Sequence, residues 1–451
     1  MKKILAIGCG GAGMFSLIVA SQLKKGKFKT TVLSDEADIY CRCSTPYILT
    51  GETTVKDSVQ PESMFTDYGF EIVHERAQSI DVAKKQVKTA AGNFFNYDYL
   101  VIATGARPLK PKIIGINLPG VYTVRSSADA ARIVAAAKKA KNAVVIGAGV
   151  IGMEMAGALK NNNVAVQVVE FAKGISAHIA DQEFGDMIVK NFQAHGIEMS
   201  FASEVLEIRN GKTKRKQVVI KCGETETIVD ADLVVVAAGV QPNLEVIAGT
   251  GIKTDRYGIK VDAKMRTNIK DVYACGDCCT PISAITGENK PSSLASSAIQ
   301  QAKVVGYQLA GYPISYAGST GAFAFKTLDK EYAGVGLTEE SARKKYKIVV
   351  TGRAQTTDVY RDLKSVRPLE VKLIFAGPLL RLVGYEAFGS GVIASAEVAS
   401  LAIGLKLNIL KLLKFNYIAH PSLTPWPFMN PIVMATEDAM GNIMKKFKAF
   451  F

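Results

Sequence analysis

Two cysteines two residues apart open the stretch Cys41-Arg42-Cys43-Ser44-Thr45-Pro46-Tyr47-Ile48-Leu49-Thr50-Gly51-Glu52. A cysteine thiolate attacks sulfur and can be recovered from the mixed disulfide it forms, so Cys43 on a short turn is suited to reducing sulfur–sulfur bonds. Pro46 stiffens the turn after it, and Tyr47 to Leu49 reads as buried packing. The bland alternative is an inert, packed thiol. Two more clusters could do chemistry. Gly8-Cys9-Gly10-Gly11-Ala12-Gly13 and Gly147-Ala148-Gly149-Val150-Ile151-Gly152 both spell G-x-G-x-x-G, which seats a pyrophosphate on a helix N-terminus. Cys275, Cys278 and Cys279 hold a Cys-x-x-Cys pair, but a structural zinc asks for four ligands and no other Cys or His lies nearby in sequence. Small buried packing is the better reading of Cys275, and no metal is expected.

The elements that would position these residues follow from short apolar runs. Ile4 to Ile7 reads as a buried strand, Gly8 permits the turn, Gly10 lets backbone approach a phosphate, and Gly13 lets helix and strand pack closely before a helix to about Leu23. The next strand, Thr30 to Leu33, should end on an acid that binds a ribose. Ser34 comes first and Asp35 second, so Asp35 is the candidate, with a solvated turn residue as its alternative. The pattern repeats with strand Ala143 to Ile146, a helix from Glu154 onward, and strand Val164 to Val169 ending on Glu170. A carboxylate there accepts from adenosine ribose hydroxyls and repels a 2′-phosphate, which favours NADH over NADPH. Further strands are Tyr99 to Ala103 and Leu233 to Val236, and prolines 108, 111 and 119 mark a linker. From about residue 318, Ala322 to Phe325, Ala333 to Leu337, Tyr346 to Thr351 and Val371 to Phe375 read as an antiparallel sheet. Helices are expected at Ile393–Leu405 and Asn408–Leu413.

At 451 residues the chain has room for about three domains. Its net charge of +14 favours anionic partners, nucleotide phosphates among them. The basic residues are scattered, denser only at Lys212–Lys216 and without interleaved aromatics, so nucleic acid is not expected as a partner. Seven cysteines without a spaced framework point to a reducing cytosol, hence a cytoplasmic enzyme. The opening Met1 to Cys9 imitates a signal peptide, but its apolar run is too short and leads straight into a glycine motif. Gly391 to Leu405 is short and carries Glu397, so no transmembrane helix is expected. The basic, aromatic end Met444 to Phe451 resembles an interfacial anchor and leaves peripheral membrane contact as a minor reading.

Motif by motif, the chain resembles the single-cysteine, FAD-dependent pyridine nucleotide–disulfide oxidoreductases: coenzyme A disulfide reductases, persulfide reductases, NADH oxidases and peroxidases. Cys43-Ser44-Thr45-Pro46-Tyr47 resembles their Cys-Gly-Leu-Pro-Tyr, Thr104-Gly105 their Ala-Thr-Gly turn, Gly239 to Asn243 their Gly-x-x-Pro-Asn exit, and Asp271 to Asp277 their second flavin motif. The resemblance implies an α/β fold of two Rossmann-like domains plus an α+β C-terminal interface domain. FAD would lie in 1–112 and 244–317, NAD(P)H in 113–243, and the interface domain would span 318–451. FAD would be held by Gly8, Gly10, Gly13, Asp35, Thr104, Gly105, Gly276, Asp277 and the helix at Ala295; NADH by Gly147, Gly149, Gly152, Glu170 and Gly239. A homodimer is implied, with Tyr417 and His420 facing the partner's reactive cysteine. Pro425 stands where two-cysteine relatives carry the glutamate that pairs this histidine, and an interfacial packing role for His420 stays open. The implied cycle passes hydride from NADH to the flavin and electrons on to a disulfide, persulfide or polysulfide at Cys43, whose thiolate should have a depressed pKa. Cys41 lies too close to Cys43 for the Cys-x4-Cys of glutathione reductase and is read as auxiliary or structural. Lys24 and Lys25 stand where coenzyme A-binding relatives tend to carry arginines, so a coenzyme A-linked substrate stays open. Two other readings also stay open: an oxidase or peroxidase working through a Cys43 sulfenic acid, and a diaphorase subunit passing electrons to a partner protein.

Overall fold

Apolar runs without alternation become strands buried on both faces, and those need helices above and below. In the computed structural model, which describes residues 1–176, 178–211 and 215–448, the first two sheets instead carry helices on one face and an antiparallel meander on the other. The first sheet is parallel, in the order Val272–Ala274, Tyr99–Ile102, Lys2–Ile7, Phe28–Leu33, Phe70–Val73. Helices Gly11–Leu23 and Ala295–Leu309 pack on it and on each other. They cross at Gly306, where a Cβ would come within 2.6 Å of Val19 Cβ.

Between Ile102 and Val272 the chain leaves to build a second parallel sheet, ordered Val121–Thr123, Leu233–Val236, Asn142–Ile146, Ala165–Val169, Glu198–Ser200. The outgoing and returning chains are clasped together. Ala106–Pro108 pairs antiparallel with Val240–Pro242, Thr104 Oγ1 donates to the Asn243 carbonyl at 2.7 Å, and Asn243 Nδ2 donates back to the Thr104 carbonyl at 2.9 Å. Two antiparallel meanders, Ala77–Asp81 to Phe94–Asn96 and Ser203–Asn210 to Thr225–Ala231, complete these regions.

The third sheet is antiparallel, in the order Phe323–Thr327, Lys330–Gly336, Arg381–Gly389, Pro368–Ala376, Val349–Thr357. Here the sequence expectations need correction. Arg381–Gly389, buried along nearly its whole length, is an additional strand inside the sheet. Tyr346 ends a helix, Glu339–Lys345, and the strand begins at Val349. The final helix, Pro431–Lys448, lies against Val349–Thr357 at Gly352, where a Cβ would meet the Ala435 carbonyl at 1.8 Å. Among the described residues no helix is long and apolar enough to cross a membrane. The basic run loses Lys212 to Lys214, and the C-terminal stretch its last three residues, to the part outside the described residues.

A buried ionic cluster joins the second and third sheets. Lys372, 1% exposed, reaches Asp181 at 2.9 Å, Glu183 at 2.7 Å and Glu339 at 2.7 Å. Beside it Glu386 accepts from the Asp181 N–H at 2.7 Å and the Tyr332 hydroxyl at 2.9 Å. Burial first, and then the neighbouring Asp181 carboxylate, pushes Glu386 up to about 9, so it holds a proton at neutral pH.

Candidate active site

The two glycine turns are built alike and separate what the fold needs from what a ligand needs. Gly8 and Gly147 have φ of +109° and +105°, and Cβ atoms there would strike the Ala103 and Ala237 carbonyls at 2.2 and 2.5 Å. Gly13 and Gly152 bring helix onto turn: a Cβ on either would lie 2.0 Å from the Gly8 or Gly147 carbonyl. Gly10 and Gly149 differ. Their backbones are extended, with φ of −82° and −76°, and a Cβ on either would meet no described atom within 4 Å. Each caps its helix without a side-chain cap, and neither helix has an acid in its first turn. Free N–H groups at a positive helix end, with room in front, fit the pyrophosphate of a dinucleotide. The glycines the chain could do without are those that face open space.

Both turns open into one cavity of about 2600 Å³, and Cys43 lies on its wall. So do Asp35, Thr104, Gly105, Glu170, Gly239, Gly276, Asp277 and Ala295. Gly13 and Gly152 stand one layer behind, packing the turns. Glu170 accepts from the Ala148 N–H at 2.7 Å and from the Ala172 N–H at 2.8 Å, so its carboxylate is fixed at the lip of the second turn. Asp35 is exposed, with Arg76 at 3.9 Å, while Glu36 beside it takes the Arg42 guanidinium on both oxygens at 2.5 and 2.7 Å. Asp277 is half-buried, and its charge is opposed by burial and supported by Arg125 and Arg42; its carboxyl is pushed up on balance. Arg125 stands 3.8 Å away, too far for a hydrogen bond, so the carboxylate keeps acceptor capacity for hydroxyls.

The Cys43 segment is held from both sides. Arg42–Ser44 forms a 3₁₀ turn leading into helix Thr45–Thr50, with Pro46 in its first turn and Ile48 and Leu49 buried. Asn162 Nδ2 donates to the Leu49 carbonyl at 2.7 Å, tying this helix to the end of the second fingerprint helix. Cys43 is exposed to the cavity, and the protein's own groups there work against the depressed pKa expected from a bound flavin and a helix end. Desolvation by the cavity walls pushes the thiol up, and Cys41, Glu154 and Asp277 add to the shift, while Arg42 alone opposes it.

Glu154 was missed as a site residue. It lies on helix Val150–Asn161 and lines the cavity. Burial pushes it up to about 7, against a hydrogen bond from the Lys326 backbone. The signal was there to read: one acid among the apolar and small residues from Val150 to Leu159, just after a glycine turn. Arg42 and Glu36 were missed as a pair for a different reason, since their contact depends on a turn that spacing does not specify.

The structure does not bring Tyr417 and His420 to the cavity of their own chain. Both are exposed; Tyr417 donates to the Pro427 carbonyl at 2.7 Å, and His420 Nδ1 lies 3.2 Å from Ser422 Oγ. Cys275, Cys278 and Cys279 are buried, with Sγ atoms against the carbonyls of Ala12, Ile102 and Gly276 at 3.7, 3.4 and 3.3 Å. Burial pushes all three thiols up, Cys278 to about 11, so they are neutral packing groups.

Comparison with known proteins gives a consistent set of likenesses. Residues 2–302 match the family described as pyridine nucleotide-disulphide oxidoreductase, and residues 322–427 match its dimerisation domain. A protein named NADH oxidase from Methanocaldococcus jannaschii is 32% identical over 98% of this chain and 100% of its own length. One named NAD(P)H coenzyme A polysulfide/persulfide reductase, from Pyrococcus horikoshii, is 29% identical over 88% of this chain and 90% of its own. Among solved structures, an NAD-dependent persulfide reductase from A. fulgidus superposes with a TM-score of 0.92, at 29% identity, over 98% of this chain and 84% of that one.

Proposed function

This chain belongs to the pyridine nucleotide-disulphide oxidoreductases, and from that premise of an NADH-dependent, FAD-carrying oxidoreductase we propose that it reduces a disulfide, persulfide or polysulfide at Cys43. The observation that carries the reading is the shared cavity: an exposed thiol lies in the same space as two glycine turns whose middle glycines face open room. FAD, when bound, supplies two-electron transfer between NADH and sulfur. Gly8, Gly10, Asp35, Thr104, Gly105, Gly276, Asp277 and the helix end at Ala295 would hold it, with Gly13 packing the turn behind. Gly147, Gly149, Gly239 and Glu170 would hold NADH, with Gly152 in the same supporting place. Glu170, already accepting two backbone N–H groups, presents a fixed negative charge that disfavours a 2′-phosphate.

The chain's own chemistry at Cys43 is nucleophilic. The thiolate attacks one sulfur of the substrate, a thiol departs, and the second sulfur stays as a mixed disulfide. Above about pH 7 Glu154 becomes charged and disfavours that thiolate, whereas Arg42 favours it. The division at 1–112 with 244–317, 113–243, and 318–451 follows the clasp at Thr104 and Asn243 and the start of the antiparallel sheet. A homodimer is supported by the dimerisation-domain match together with exposed Ile418, Leu423 and Phe428 around Tyr417 and His420. In such a dimer these two side chains would reach the partner's cysteine.

An oxidase reading, through a Cys43 sulfenic acid, is favoured by the full-length likeness to the protein named NADH oxidase. One experiment separates them. Cys43→Ser should retain FAD and NADH-dependent dye reduction but lose sulfur reduction by orders of magnitude, because serine forms no mixed disulfide. Full sulfur reduction by the variant sinks the proposal; a wild type that consumes oxygen but no sulfur substrate transfers the case to the oxidase.

A further inference from the structure

We propose that Cys41 is the resolving thiol of this site: it attacks the Cys43 mixed disulfide, releases the second half of the substrate, and leaves a Cys41–Cys43 disulfide as the species that is reduced. The inference rests on the preceding reading of Cys43 as the nucleophile and adds the step after it.

Among the seven cysteines, only Cys41 and Cys43 are both exposed and on the cavity wall. Cys9 also lines the cavity but is buried, and Cys222 is exposed at the end of a strand away from it. The backbone around the pair is fixed: the Cys41 N–H donates to the Ser58 carbonyl at 2.8 Å, and the Cys41 carbonyl accepts from the Ser44 N–H at 3.0 Å. Alpha carbons two residues apart lie about 5–7 Å from each other whatever the turn. That range overlaps the roughly 4.4–6.8 Å over which disulfides form. The intervening Arg42 is occupied by Glu36 and by the Tyr40 carbonyl at 3.4 Å. A bridge across one residue closes a small, strained ring, and strain makes a disulfide easier to reduce. Such a bond suits turnover and would be a poor structural brace.

The electrostatics give the direction. In a mixed disulfide the sulfur whose thiolate is more stable leaves more readily. Cys43 is pushed up by its walls, so attack by Cys41 on the Cys43 sulfur, expelling the substrate thiolate, is the favoured exchange. The balance is complete. Substrate R–S–S–R′ and the Cys43 thiolate give Cys43–S–S–R and R′S⁻; the Cys41 thiolate then gives the Cys41–Cys43 disulfide and RS⁻. Two electrons from NADH and two protons restore both thiols.

The test uses FAD-loaded protein with reduced cysteines, without NADH and under argon, in a Cys222→Ser background. The probe is 5,5′-dithiobis-(2-nitrobenzoate), an activated disulfide that needs no dedicated pocket. With Cys41 present, each probe molecule consumed should release about two thionitrobenzoate anions and leave no adduct on the protein. After alkylation, trypsin cuts after Arg42, and peptides 30–42 and 43–56 should remain joined until reduced. Cys41→Ser should release about one anion per probe and keep the adduct on Cys43. A stable Cys43 adduct in both proteins overturns the resolving role and leaves Cys43 as the nucleophile. If Cys43 takes up neither adduct nor bridge in either protein, the nucleophile reading fails, and the resolving role with it.

Discussion

Replacing Gly149 and Gly152 in turn should separate a glycine required by the nicotinamide nucleotide from one required by the chain. At Gly149 the backbone is extended and a Cβ meets nothing within 4 Å, so valine is tolerated by the protein itself. Its branches would occupy the space before the free helix N–H groups. Two charge-assisted hydrogen bonds lost at about 1.5–3 kcal/mol each make about 3–6 kcal/mol. That converts to a rise of roughly 10²- to 10⁴-fold in KM for NADH. Gly152→Ala adds a single methyl group, yet 2.0 Å from the Gly147 carbonyl. The helix must back away from the turn, at an overpacking cost of about 1–3 kcal/mol. The assay is paired: steady-state KM for NADH with a dye acceptor, and thermal melting followed by flavin fluorescence. Gly149→Val should melt within a degree or two of wild type and fail on KM, whereas Gly152→Ala should lose several degrees. If the valine variant melts as low as the alanine variant, or keeps its KM, then open space in front of Gly149 does not mean a ligand position, and the same argument falls for Gly10.

Glu170→Ala should move coenzyme preference toward NADPH by about tenfold or more through loss of the fixed charge; a wild type that already prefers NADPH tenfold contradicts the role given to this carboxylate. Glu386 keeps its proton when folded, up to about 9, but loses it on unfolding above about 4.5. Its contribution to stability therefore falls as pH rises between those values, while that of Asp181, whose pKa is lowered, is lost only in acid. Glu386→Gln keeps the acceptor for Tyr332 without ionising, so its melting temperature relative to wild type should be higher at about pH 8.5 than at about pH 6; an unchanged difference refutes the buried proton.

Most of the nucleotide-binding architecture was legible because its signals are local. A four-residue apolar run followed by G-x-G-x-x-G fixes strand, turn and helix within a dozen residues, and the chain carries that signal twice. The C-terminal sheet was read less well because its deciding contacts are distant. Arg381–Gly389 contains Gly384, Glu386 and Gly389, which interrupt the apolar run by which a buried strand is recognised. Glu386 is buried only because Tyr332 and the Asp181 N–H, 54 and 205 residues away in sequence, meet it there. Gly384 is required because a Cβ would strike the Leu337 carbonyl at 1.9 Å. No window of sequence contains those partners.

The same division explains the site. Gly10, Gly149 and Glu170 could be placed on the cavity from spacing, since the two glycines open their own helices and Glu170 stands at the end of the strand that follows the second of them. The protonation states at Cys43 could not. A low thiol pKa is expected from the flavin and a helix end, but Ser44 caps the Thr45–Thr50 helix just beyond Cys43, and the protein's burial and the charges of Cys41, Glu154 and Asp277, from separate parts of the chain, push the other way. Glu154, 111 positions further along the chain, contributes a charge that appears only near neutrality. A thiol held up by its surroundings is a slower nucleophile at neutral pH but a poor leaving group once bonded to sulfur. The chain thus retains sulfur at Cys43 long enough for a second thiol to matter, which is the reason to look for that thiol two residues away.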